Sequence, residues 1–124
     1  MWCLFEDVAG WTNWNVGIER IALHGPFATG STFDMQPPGM APFTSTLRDV
    51  RPESGFVDET ILDGTRFLVS HELHPLPAGG TRVRYTIRVE GPEAATLGPV
   101  VSADFPEVLA ALKALAESAH VGAP

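Results

Sequence analysis

Between residues 18 and 90 the chain runs through six short segments joined by links of only a few residues, and this succession constrains the fold more than any motif does. The segments are Ile18–Leu23, Ser31–Gln36, Phe43–Val50, Phe56–Leu62, Arg66–Leu73 and Thr81–Glu90. They are rich in β-branched and aromatic residues and bounded by Gly25-Pro26, Pro37-Pro38-Gly39, Pro52 to Gly55, Asp63-Gly64 and Pro77 to Gly80, as strands are. A parallel return needs a crossover of about a dozen residues or more, so consecutive strands this closely linked must be antiparallel. Asp63-Gly64 is the strongest hairpin signal, because a two-residue primed turn requires positive φ.

Alternation then assigns faces. Phe67, Val69, His71 and Leu73 share one parity of the fifth strand, and Val83, Tyr85, Ile87 and Val89 share one parity of the sixth. Arg82, Arg84, Thr86 and Arg88 take the opposite face, toward water. Asp58 and Glu59 are adjacent in the fourth strand, so one of them points inward whatever the register. Val57, Glu59 and Ile61 form the more apolar set, which favours Glu59 as the inward carboxylate; at the surface instead, Arg66 or Arg82 would pair with it.

Helical spacing marks both ends of the chain. Trp2, Leu4, Phe5 and Val8 form one stripe that Gly10 stops, and Trp11 and Trp14 suit one further turn. Near the C-terminus Asp104 stands three residues before Glu107, as in a capping box, followed by an apolar stripe of Phe105, Val108, Leu109, Leu112, Leu115, Ala116 and Ala119. Gly98-Pro99 interrupts the preceding stretch, so a broken or kinked helix is expected over about 93–119. A meander of strands followed by one long amphipathic helix reads as α+β, a curved antiparallel sheet packed on that helix.

A chain of 124 residues fits one domain, 1–124. Eight Lys and Arg against fifteen Asp and Glu, net −7, exclude a phosphate-binding groove, so no nucleic-acid partner is expected. No apolar run is long enough to span a bilayer, and the early Glu6 and Asp7 do not fit a signal peptide, so a cytoplasmic protein without membrane insertion is expected. One cysteine, Cys3, permits no internal disulfide. His71 and His74 are three apart on a strand and face opposite ways, so no metal site is expected, and with no phosphate-cradling or dinucleotide fingerprint no cofactor is either.

Several stretches together resemble the polyketide cyclase/dehydrase branch of the START-like (SRPBCC) superfamily. They are Leu4-Phe5-Glu6-Asp7-Val8-Ala9-Gly10-Trp11 with Trp14-Asn15, Gly25-Pro26-Phe27-Ala28-Thr29-Gly30, and His71-Glu72-Leu73 with Pro75-Leu76 and Gly79 to Val83, then Gly91-Pro92. The resemblance implies the helix-grip fold, with an apolar or polycyclic small molecule held between the concave sheet and the terminal helix. Members of that family usually begin with a strand before the first helix, whereas Met1 already lies inside the stretch that matches the helix. Either the start codon was assigned too late, or the domain has one strand fewer and an exposed edge at Thr81–Glu90; a homodimer covering that edge is then expected.

Ligand-lining candidates are Trp14, Phe33, Met35, Phe43, Phe67, Val69, Val83, Ile87, Leu109 and Leu112, and the polar candidates are His71, Tyr85 and Glu59. His71 sits between apolar neighbours, where a neutral imidazole serves as acid, base or hydrogen-bond anchor, or simply as a satisfied core histidine. Tyr85 stands on the neighbouring strand, where its hydroxyl reaches either the same cavity or a backbone carbonyl. Three functional classes follow: a carrier of an apolar or aromatic molecule, a cyclase or dehydratase using His71 as acid/base, and a ligand-free protein-interaction module.

Overall fold

The computed structural model describes residues 1–15, 17–62, 64–91 and 102–122, the side chains of 118–122 excepted. Helix α1 (Trp2–Glu6) leads into a 3₁₀ segment (Val8–Asn13), then strands β1 (Arg20–His24), β2 (Thr32–Gln36), β3 (Phe43–Arg51), β4 (Gly55–Leu62), β5 (Thr65–Pro75) and β6 (Thr81–Glu90), and finally helix α2 (Phe105–Gly122). The strands form one antiparallel meander in the order β1-β2-β3-β4-β5-β6, and the fold is the α+β helix-grip.

Strand boundaries fall within a few residues of those the turns dictate. Leu62 pairs with Thr65 and Gly64 has φ 78°, the geometry a two-residue hairpin requires. The first turns differ from expectation: α1 ends at Glu6, and one 3₁₀ segment runs through Gly10 to Asn13. A Cβ at Gly10 would collide with the Asp7 carboxylate, so glycine here lets the chain pack over Asp7 instead of stopping it. Of the helix expected over 93–119, residues 93–101 lie outside the described residues; α2 begins after Asp104, whose carbonyl accepts from Val108 N–H at 2.9 Å.

Cross-strand pairing settles the faces. His71 lies opposite Phe56 and Tyr85, Val69 opposite Asp58 and Ile87, and Phe67 opposite Thr60 and Val89. Opposed residues share a face, so all nine belong to the concave side, joined by Phe33 and Met35 of β2 and Phe43, Ser45 and Leu47 of β3. A bulge between Arg48 and Arg51, with Asp49 at φ 47°, bends β3 and adds curvature.

Among the described residues, that concave face is filled most completely at one end. In a meander the β1–β2, β3–β4 and β5–β6 turns share one end, and there α1 and the 3₁₀ segment press a cluster of rings into the sheet. Phe5 is fully buried at its centre, 5.7 Å from Trp14, 5.6 Å from Phe56 and 5.9 Å from His71 between ring centroids. Trp11 bridges Phe33 and Phe56, and Trp2 meets Phe27 and Phe56. Helix α2 packs against the core, with Val108 and Leu112 buried and Phe105 edge-on to Tyr85 at 5.4 Å. No helix among the described residues is long and apolar enough to cross a membrane.

Candidate functional site

Toward the β2–β3 and β4–β5 turns the concave face is less completely covered. Met35, Phe43, Phe67, Val69, Ile87 and Val89 are only partly buried there. These apolar side chains, with Val83 further along β6, form a floor of the kind an apolar ligand needs. Beneath it, Ser45 Oγ and Thr60 Oγ1 are buried and hydrogen-bonded to each other at 2.6 Å.

The polar groups gather where floor and ring cluster meet. His71 Nε2 lies 2.8 Å from Asp58 Oδ2, with both side chains largely buried. A carboxylate accepts, so Nε2 carries the hydrogen of this bond and Nδ1 of the neutral ring is left as an acceptor. Nδ1 is buried and has no partner among the described residues. The ring is held by near-parallel stacking on Phe56, centroids 4.2 Å apart at 12°, and by the edge contact with Tyr85 at 4.5 Å. An imidazole fixed by a carboxylate on one nitrogen and open on the other suits proton transfer or anchoring of a hydroxyl.

Tyr85 completes the group. Burial, first, and then the negative charges of Asp58 and Asp104 push its phenol well above its ordinary pKa, so it stays a neutral donor. Asp104 reaches this neighbourhood from the turn before α2, and a Cβ on Gly17 would stand 3.0 Å from its Oδ2. Trp14 Nε1 is a second buried polar atom without a partner among the described residues. Such atoms are uncommon in folded proteins and point to a water or a ligand group as the missing partner.

Glu59 requires a correction. It lies on the convex face, opposite Thr46 and Leu68, and accepts from Arg66 Nε at 2.5 Å and Arg48 Nη2 at 3.0 Å. Those hydrogen bonds, Arg66's first and Arg48's second, hold its carboxyl below the usual range. Asp58 is the inward carboxylate. Of the other expected residues, His71 and Tyr85 meet as the alternation implied. Trp14, Phe33 and Leu112 are buried in the core, while Leu109, Phe43 and the residues of β5 and β6 remain partly buried.

A cleft of about 540 Å3 opens between the 3₁₀ segment and β1–β2, lined by Ala9, Thr12, Ile21, Met35 and Pro42 with Glu19, Arg20, Asp34 and Gln36 at its rim. Met35 is the one expected lining residue that borders it. Elsewhere His24 and His74 sit on the surface, His24 2.8 Å from Asp34, and Asp34 is held low first by the Thr44 hydroxyl and then by His24.

A family model described as polyketide cyclase / dehydrase and lipid transport matches residues 1–117. No curated protein is matched.

Proposed function

The chain belongs to the polyketide cyclase/dehydrase and lipid transport family, within the START-like (SRPBCC) superfamily, and we propose that it binds an apolar or aromatic small molecule on the partly buried floor of its concave sheet. The observation that carries this reading is the coincidence of Phe67, Val69, Ile87 and Val89 with the buried His71–Asp58 pair at the floor's inner margin. An apolar body would lie along the floor, under α2, and one oxygen of the ligand would meet Tyr85 and His71. A native mass spectrum of the protein purified from its own host tests this. A retained small molecule, lost on extraction with organic solvent, is expected; bare polypeptide masses from gently prepared material would refute it.

The geometry of His71 favours a second reading, catalysis of a cyclase or dehydratase step. With Nε2–H held by Asp58, Nδ1 would take a proton from the ligand while neutral Tyr85 donates to a carbonyl oxygen, and the apolar walls would hold the chain folded for closure. The two readings separate on His71→Ala: a carrier loses affinity modestly, whereas an enzyme keeps binding and loses turnover.

A further inference from the structure

The two edges of the sheet differ. Strand β1 has five residues, whereas β6 runs ten without proline, and its pairing with β5 continues unbroken from Thr81 to Glu90. Edge strands of monomeric proteins are usually short, bulged or interrupted. Leu76 N–H donates to the Gly80 carbonyl at 3.0 Å, and Leu73 N–H turns to the other side, donating to Ser54 at 2.9 Å. Antiparallel residues send both backbone groups to one side and alternate along the strand. The even-numbered residues of β6 therefore bond to β5, and Thr81, Val83, Tyr85, Ile87 and Val89 aim their N–H and C=O groups out from an edge that no other strand pairs with among the described residues.

We propose that this edge is an interface with a second copy of the chain, β6 against β6 antiparallel, in the register centred on Ile87. The charges select the register among those that overlap most of the strand. Arg82 and Arg84 have no ion-pair partner among the described residues, and Glu90, which takes Arg66 at 3.2 Å and Arg88 at 3.6 Å, stays partly exposed. Centring on Ile87 sets Arg84 opposite the partner's Glu90, twice by symmetry, and Thr86 opposite the partner's Arg88. Both fall at positions without mutual hydrogen bonds, where facing side chains come closest. Centring on Thr86 would oppose Arg84 to the partner's Arg88, centring on Tyr85 would oppose Arg82 to the partner's Arg88, and centring on Arg88 would oppose that residue to its own copy. On the concave side Ile87 meets the partner's Ile87 and Tyr85 meets the partner's Val89, so the apolar floor continues from one subunit into the next. This assembly does not depend on the ligand, so its failure would leave the binding proposal standing.

Sedimentation velocity over a wide concentration range tests it. The unaltered chain should sediment as a dimer. R84E and E90R should each weaken the dimer about tenfold or more, the scale of two lost cross-strand ion pairs with like charges left facing, and R84E/E90R should restore it. T86E, at an exposed position that leaves the fold untouched, should tighten the dimer by giving the partner's Arg88 a counter-ion. A monomer at all concentrations overturns the proposal, and so does a dimer indifferent to R84E, E90R and T86E; failure of the double reversal to restore association overturns the register.

Discussion

Glu59→Gln separates the two faces of β4 more sharply than any other substitution, because the neighbouring Asp58 serves as its control. Glu59 is 8% exposed and accepts from Arg66 and Arg48, whose side chains are 45% and 51% exposed. Charge-assisted hydrogen bonds contribute about 1.5–3 kcal/mol each when both partners are shielded, but donors this open to water reduce each to about 0.2–1 kcal/mol. Two such bonds, one of them kept in weaker form by the amide, give a predicted loss of about 0.3–1.5 kcal/mol at neutral pH. That corresponds to a fall in Tm of about 1–8 °C for a chain of this size. The folded-state pKa of Glu59 is depressed, so the stabilisation is present above its unfolded value and fades as pH falls through the folded one; the variant and parent should therefore converge only once the pH has fallen below that depressed folded-state pKa. Urea melts at several pH values measure this, with unchanged slopes confirming a two-state comparison. Ligand affinity should be unaltered in Glu59→Gln and reduced in Asp58→Asn. A Glu59 variant that keeps full stability yet loses binding would refute the assignment of faces.

Other consequences can be checked alongside. Phe5→Ala removes a fully buried ring packed on Trp14, Phe56 and His71, and should cost about 3–5 kcal/mol in urea denaturation, a large part of a typical domain's stability. Gly55 has φ 148° and a Cβ there would strike the His71 carbonyl, so Gly55→Ala should destabilise by about 2 kcal/mol or more and displace the imidazole, visible as a shifted His71 ring resonance. Because Tyr85 is held neutral by burial, ultraviolet titration should show no phenolate from the sole tyrosine until the protein unfolds in alkali.

Much of this architecture was legible in the residues. The glycine- and proline-rich turns delimit the strands, and the parity of Phe67 to Leu73 and of Val83 to Val89 places His71 beside Tyr85, as found. The face of Asp58 was legible too, through a longer step. A two-residue turn at 63–64 pairs Leu62 with Thr65, which places Asp58 opposite Val69 and therefore on the face of His71. Counting apolar neighbours within β4 alone misled, because Ile61 is 62% exposed and two arginines on adjacent strands draw Glu59 outward. Other features depend on contacts distant in sequence, which alternation does not encode. The buried Ser45–Thr60 pair, the approach of Asp104 to Gly17 and the filling of one end of the concave face by Phe5 are of this kind.

The central claim, an apolar ligand on the concave floor, is tested most directly by titrating an environment-sensitive apolar fluorophore into the protein and into variants that put one charge on either face. Val69→Arg and Ile87→Arg place a guanidinium on the floor and should abolish the fluorescence gain, while Ile61→Arg, on the exposed convex side, should leave it unchanged in a chain with the same circular dichroism. Equal binding by all three variants, or no binding by the unaltered chain, would contradict the account.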